Sequence, residues 1–541
     1  MTDSPSGTSP RATSLHAARR DAELAELAAG ARPDVLVVGG GVTGTAAALD
    51  AAGRGLSVAL VEAEDLANHC PRWSDILPDG RPHDGRPAEL VRARRDAVER
   101  EVLLRTTAPH LVRPLPLLVP LDSGVPRRAE LGLLAHSNSA NAMRVAAGTP
   151  ATTLPAPRRI PAPEARALAP GLSVPGLRGG LLEFGVQQPD EARLAVALAR
   201  TAAGLGARVL TRVRAIRLHR DGADVLDRLG DSEIRLRARA VINATGPRSA
   251  ELVDRPPLNT FRTPGVVLDA AAVGATATGL IAPRAEGSGK AVRCVPQPGN
   301  RLLVTAGSVE LGGTPPEATG RPEPSDSETS GLLAAAAGLL GPAARAAHSL
   351  DGQVVSHAVP RRTDGRGGSA RGTGGATLEA LSDSRKREHH VHTSPAGVIS
   401  VLRGALAPYR TAAVEAVDRA VRDCGLRAGN SRTAKTPLVG ATDRGKLAEL
   451  DAERRLIDRY GTEAERVSAI TELDPTLREP IVPELSTSAV EVVWAVRHEG
   501  AMNAADVLDR RVRPGLPPEV RARALPRVAD LVTRALRGVY H

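Results

Sequence analysis

Four apolar residues, Val35 to Val38, run into the triplet Gly39-Gly40-Gly41, and the chain then turns alanine-rich as far as Gly53. A second apolar run, 56–61, ends on Glu62. The unbroken apolar runs predict buried strands, and the alanine-rich stretch between them predicts a helix of about three turns. Further on, residues 14–31 read as a short amphipathic helix, 68–87 as loop and 89–108 as a charged helix. Residues 113–121, RPLPLLVPL, read as a proline-interrupted strand. A helix over 190–206 is capped near Asp190 and stopped by Gly204 and Gly206. Residues 207–218 alternate as one strand should, and 234–243 form another that enters Ala244-Thr245-Gly246. Strands at 266–272, 301–306 and 398–402 follow, then a helix over 409–424. Beyond Arg432 the period is helical at 442–460, 462–472, 486–497, 503–511 and 518–539, which predicts a separate all-α unit. Ser, Pro, Thr and Gly dominate residues 1–13, a composition that predicts a flexible start.

The first unit carries chemistry. Gly39-x-Gly41-x-x-Gly44 lies between strand and helix, and Glu62 closes the next strand. Gly39 suits a tight turn, Gly41 lets backbone approach a diphosphate on the helix N-terminus, and Gly44 lets helix and strand pack closely. Glu62 lies 62 − 39 = 23 positions after Gly39, near the spacing of about 20 for an acid that accepts ribose hydroxyls. All five parts in order point to a dinucleotide site; the plainer alternative is a crossover with a glycine-rich turn.

Composition narrows the class. A 541-residue chain with 42% hydrophobic and 24% charged residues suits two or three globular domains. No apolar run reaches the ~20 residues that span a bilayer, and the N-terminus lacks the apolar core of a secretory signal. Cys70, Cys294 and Cys424 are scattered and odd in number, against a disulfide framework or a zinc site and in keeping with a reducing cytoplasm. The net charge of +10 comes mainly from arginine, since Lys290, Lys386, Lys435 and Lys446 are the only lysines. These arginines are spread along the chain, and two Trp, three Tyr and two Phe leave little for base stacking, so no nucleic-acid partner is expected.

The order of these pieces resembles the FAD-dependent glycerol-3-phosphate dehydrogenase family of the D-amino-acid-oxidase-like superfamily, from about residue 34 to 536. The carriers are DVLVVGGGVTG with VALVE, EREVLLRTTAPHLVRPLPLLVPL, QPDEARLAVALARTAA, RARAVINATG, TSPAGVISV and VWAVRHEGAMNAADVLDRRVRPGL. The resemblance implies an α/β chain: a short N-terminal segment (1–30), then a Rossmann-like FAD-binding domain over 31–110, 188–250 and 390–425. An α+β substrate domain over 111–187 and 251–389 is interleaved with it, and an all-α domain over 431–541 ends the chain. It implies oxidation of sn-glycerol 3-phosphate to dihydroxyacetone phosphate by hydride transfer to the flavin, and a quinone acceptor. It also implies a cytoplasmic place, peripheral on the inner membrane face; a homodimer stays open. Its cofactor residues fall on Gly39, Gly41, Gly44, Glu62, the backbone of Val213 beside adenine, the turn Ala244-Thr245-Gly246 beside the flavin nucleotide, and Gly404.

Several family motifs are altered. Where the family carries SxGTSSRSxKLxHGGxRY, residues 67–84 read ANHCPRWSDILPDGRPHD, keeping Ser74, Leu77 and Gly80. Gly265 stands where a histidine is expected, Ser308-Val309 where the family has a Thr-Asp pair, and Arg403 to Arg410 where it has GGKLTTYR, so the lysine is Ala405. Alcohol oxidation needs a base for the hydroxyl proton, and a phosphate needs fixed cations. Arg361, Arg385 and Arg410 are the substrate-binding candidates, and His357 (with Arg361) and the pair His389-His390 are the candidates for the missing base. Ordinary solvated arginines and strand or loop histidines are the plain alternatives. Two other functional readings stay open: a diverged, non-catalytic flavin-binding homologue, and an oxidase for another small amine or hydroxy acid.

Overall fold

The computed structural model describes residues 12–77, 80–82, 87–253, 258–282, 291–312, 323–360, 388–403, 408–512 and 517–539. Among these, a six-stranded sheet runs His389–Thr393, Ile399–Arg403, Ala240–Asn243, Val35–Val38, Val58–Val61, Arg208–Leu210, parallel except at the first strand. Its central strands Val35–Val38 and Val58–Val61 are short and apolar at every position because both faces are covered. Val35 and Val37 face the alanine-rich helices Val42–Gly53, Glu191–Gly204 and Tyr409–Asp423. Leu36 and Val38 face the N-terminal helix Ala17–Ala28 and a three-stranded sheet of Val213–His219, Gly222–Asp227 and Ser232–Arg237. Alanine lets the helices sit close on the sheet, which suits a chain so poor in aromatics.

A second, mixed sheet orders Val309–Gly312, Leu258–Asp269, Arg301–Ala306, Val292–Gln297, Gly279–Ala282, Arg113–Leu121, Gly179–Gln187, Arg158–Pro161, and Asp351–Pro360 also pairs with Leu258–Asp269. Helices Ala162–Leu168, Asp326–Leu340 and Pro342–Ala346 cover one face, and Arg127–Ala146 packs on the other. The fold is α/β with a helical C-terminal unit whose core centres on Tyr460 and Trp494.

Two expected strands prove to be four. The run 207–218 breaks at Arg212, which adopts φ 61°, and this sends Arg208–Leu210 to the parallel sheet and Val213–His219 to the three-stranded one. The run 234–243 likewise divides at Ala238 and Arg239, whose N–H groups donate to the carbonyls of Asp221 and Pro33. The C-terminal helices are shorter than their apolar period: 442–460 splits into Arg444–Glu449 and Arg454–Tyr460, and 462–472 into several turns. Residues 1–11 lie outside the described part. Of the expected flexible start only residues 12 and 13 are described, and Thr13 is buried; just after it Leu15 exchanges backbone hydrogen bonds of 3.0 Å with His498 and Gly500.

Arg193 and Arg200, seven apart on the helix Glu191–Gly204, join the two units. Arg193 donates to both carboxylate oxygens of Glu499 at 2.7 Å and lies over the Tyr460 ring; Arg200 pairs with Glu463 at 2.6 and 2.9 Å. Burial alone would raise the Glu499 carboxyl, but Arg193 and Arg200 outweigh it and hold it below its ordinary 4.5. The stabilisation is therefore complete above pH 4.5 and is lost as pH falls through the lower folded value. Glu499→Gln leaves Arg193 buried without its countercharge and should cost about 3 kcal/mol at neutral pH. Thermal unfolding of wild type and variant, followed from neutral pH into acid, should show that gap closing below pH 4.5.

Candidate cofactor and substrate site

The carboxyl ends of the Val35–Val38, Val58–Val61 and Ala240–Asn243 strands lie side by side, with Val38 in register with both Val61 and Asn243. Gly39 leaves the first strand with φ 112°, and a Cβ there would stand 2.7 Å from the Ala244 carbonyl oxygen. A Cβ on Gly44 would meet the Gly39 oxygen at 1.9 Å. Gly41 differs: a Cβ there would meet nothing within 4 Å, φ is −76°, and it caps the helix Val42–Gly53 without any side-chain hydrogen bond. The helix N-terminus thus opens onto free space above Gly41, a cradle for an anion.

Glu62 braces this turn. One carboxylate oxygen accepts from the Gly40 N–H at 2.6 Å and the other from the Glu64 N–H at 2.9 Å. Burial pushes the Glu62 carboxyl up, against the pull of those two N–H groups. Each oxygen keeps a lone pair for a ribose hydroxyl. Val213 is fully buried, and its N–H is committed to the Glu62 carbonyl at 2.8 Å. Ala244 packs on the glycine turn, the Thr245 hydroxyl donates to Asn243 at 2.7 Å, and Gly246 has φ 59° with open space where a Cβ would be. The carboxyl ends of these strands therefore gather Gly39, Gly41, Gly44, Glu62, Ala244, Thr245 and Gly246, and Val213, at the start of the three-stranded sheet, joins them through Glu62. Gly404 lies outside the described residues.

The substrate candidates fare differently. Arg361 and Arg385 also lie outside the described residues. The backbone of His357 is described, in the strand Asp351–Pro360 opposite Phe261. Arg410 does not stand open to a ligand: its guanidinium is taken by Glu99, with Nε to Oε2 at 2.8 Å, tying helix Tyr409–Asp423 to Pro87–Val102. His389 is drawn to Glu415 at 2.9 Å on the edge strand, and burial pulls its pKa down; His390 lies 3.8 Å from Glu388. Arg403 reaches Thr43, in the first turn of the glycine helix, at 3.2 Å and Glu191 at 3.4 Å. Its side chain therefore links the first turn of that helix to the start of the helix Glu191–Gly204.

Within the altered stretch, residues 72–77 form a strap across the second sheet. Asp351 accepts two hydrogen bonds from Arg72, at 3.0 and 2.9 Å, and one from the Trp73 indole at 2.8 Å. Gln353 bonds both the N–H and the carbonyl of Trp73, while the Trp73 ring packs on Val267 and Leu303. Arg293 pairs with Asp75 at 2.6 Å, and Leu77 donates to Val186. Gly80, with φ 74°, lies where a Cβ would be 2.6 Å from the Ala93 carbonyl. Two other altered motifs also meet, through a hydrogen bond between the Thr263 and Ser308 hydroxyls. Sequence reasoning missed Asp351 and Gln353, because their partners lie nearly three hundred residues earlier and no local pattern marks them.

The pattern of the family described as FAD dependent oxidoreductase matches residues 34–366, more than half of the chain. The chain belongs to that family. Residues 431–537 match the family described as C-terminal domain of alpha-glycerophosphate oxidase. Glycerol-3-phosphate dehydrogenase 1 of Mycobacterium tuberculosis is 38% identical over 531 residues, covering 97% of this chain and 99% of the relative. The human mitochondrial glycerol-3-phosphate dehydrogenase is 27% identical, covering 96% of this chain and 72% of the relative. Among solved structures, the Bacillus halodurans glycerol-3-phosphate dehydrogenase complexed with FAD shares the fold with a TM-score of 0.70, at 19% identity and 97% coverage of both chains.

Gly41 separates folding from cofactor binding. Its φ suits any residue and a Cβ has room, so Gly41→Ala should leave apoprotein stability within about 1 kcal/mol of wild type. The added methyl nevertheless occupies the cradle, so flavin retained through purification should fall sharply. Flavin absorbance per chain, measured beside apoprotein thermal unfolding, checks both halves.

Proposed function

We propose that this chain binds FAD at the glycine cradle and oxidises sn-glycerol 3-phosphate to dihydroxyacetone phosphate. End-to-end similarity, 38% over 97% of the chain, to a relative named glycerol-3-phosphate dehydrogenase carries the reading. The open N-terminus above Gly41 and the Glu62 carboxylate support the cofactor half of it.

Gly41 and the first-turn N–H groups of Val42–Gly53 receive the diphosphate, and Glu62 receives ribose hydroxyls beside Val213. Ala244, Thr245 and Gly246 would border the flavin nucleotide, a place the family resemblance also gives to Gly404. Bound FAD supplies the two-electron acceptor for the hydride leaving C2 of the alcohol. Arg361 and Arg385 grip the phosphate, a task the bidentate guanidinium performs better than the lysine replaced by Ala405. His357 takes the hydroxyl proton as its neutral imidazole. Its strand pairs with the one bearing Gly265, where the family's histidine is expected, with His357 opposite Phe261, four residues before Gly265. A quinone would be the onward electron acceptor, and the net charge of +10 supports contact with an anionic membrane face. No helix among the described residues is long and apolar enough to cross a membrane.

Purified protein should be yellow, and anaerobic glycerol 3-phosphate should bleach it with formation of dihydroxyacetone phosphate. Colourless protein that cannot be reconstituted would sink the flavin reading; bleaching only by other alcohols or amines would sink the substrate. His357→Asn should lower kcat by a factor on the order of 100 while FAD content stays at the wild-type level, measured by steady-state kinetics and flavin absorbance.

A further inference from the structure

The C-terminal helical unit takes no part in the chemistry above, yet its most deeply buried charges reach the segment that follows the glycine turn. Residues 62–68 loop back over that turn: the Ala67 N–H donates to the Gly40 carbonyl at 3.0 Å, and Glu62 holds Gly40 through its N–H. Asp65, inside this loop, is buried and forms a two-bond ion pair with the fully buried Arg511, at 2.8 and 2.7 Å. Arg510 donates to the Asn68 side chain beside it.

A second pair runs in parallel. Arg212 donates to both oxygens of buried Asp506 at 2.6 and 2.7 Å. Arg212 is also the strand break with φ 61°, and the backbone around it grips the same loop: its N–H meets the Glu64 carbonyl at 2.9 Å, and that of Val213 meets Glu62 at 2.8 Å. Asp506 is itself fixed by the Met502 N–H at 2.9 Å. The two backbone stretches at the adenosine end of the cradle, 62–68 and 211–213, are thus each tied to residues 506–511 by an ion pair that engages both carboxylate oxygens, through two guanidinium nitrogens at Arg511–Asp65 and through one at Arg212–Asp506. Such pairs fix orientation as well as distance, and burial makes an orphaned partner costly, so the loop and the C-terminal segment keep one arrangement together.

We propose that Arg511–Asp65 and Asp506–Arg212 are positioning pairs through which the C-terminal unit holds the Glu62 loop in its cofactor-binding shape, so that FAD affinity is set from the far end of the chain. This rests on the reading that FAD occupies the glycine cradle. Because coupling is reciprocal, FAD must in turn steady residues 504–512.

The test uses the full chain stripped of flavin and titrated with FAD and with ADP, at a temperature where circular dichroism shows each apoprotein folded. Asp506→Asn should weaken both ligands by a similar factor, on the order of 10, since both carry the adenosine half. Arg511→Lys, which keeps the charge and loses the second bond, should act in the same direction. A merely structural role would lower apoprotein melting and leave the affinity of the folded fraction unchanged. Wild-type hydrogen exchange supplies a readout that needs no variant: FAD should slow exchange of the amides in 504–512. Unchanged FAD and ADP affinity in folded Asp506→Asn, a loss for FAD without one for ADP, or exchange at 504–512 indifferent to FAD would each overturn the inference and leave the cofactor reading standing. Wild-type apoprotein that takes up no FAD would overturn both.

Discussion

The close backbone contact among Gly39, Gly44 and Ala244 is the constraint on which the rest of the site depends. A Cβ at Gly44 would stand 1.9 Å from the Gly39 oxygen, and one at Gly39 would stand 2.7 Å from the Ala244 oxygen. No side chain can relieve either overlap, because backbone lies on both sides. The contact seats the glycine helix on the first strand and brings the Ala244-Thr245-Gly246 turn against both. It also leaves the Gly40 N–H pointing to Glu62, which links the turn to the end of the neighbouring strand.

Buried ion pairs hold the junction on the C-terminal side. Arg193–Glu499, Arg200–Glu463, Arg511–Asp65 and Arg212–Asp506 join the nucleotide-binding sheet to the C-terminal unit. In a chain with so few aromatics, long arginines do part of the work that large rings do elsewhere. Arg193 and Arg200 bury their stems, lie over Tyr460 and Trp494, and deliver a charge to a carboxylate across the junction.

The glycine turn, Glu62 and the Ala244 turn were legible in the sequence because their physics is local: glycine where backbone crowds, an acid where a strand ends. The bend at Arg212 was not, since an arginine with positive φ interrupts no alternation and carries no glycine to mark it. Arg193 and Arg200 left a faint signal, two charges seven apart on an otherwise apolar helix, but their partners lie far along the chain. The strap was legible only as a loss of family residues. In three dimensions the changed positions have acquired new partners, Arg72 and Trp73 with Asp351 and Gln353, so the stretch is a coherent replacement and not simple erosion. Arg410 looked like a substrate cation in sequence and holds two helices together through Glu99 instead.

The proposed reaction joins the cofactor cradle of Gly39 to Glu62 to a substrate side served by Arg361, Arg385 and His357. Its most direct test is the anaerobic reductive half-reaction, followed by stopped flow with ordinary glycerol 3-phosphate and with the same compound deuterated at C2. Flavin bleaching should saturate with substrate and slow on deuteration, because the C2–H bond breaks as the hydride leaves. Flavin that stays oxidised with saturating glycerol 3-phosphate would contradict it.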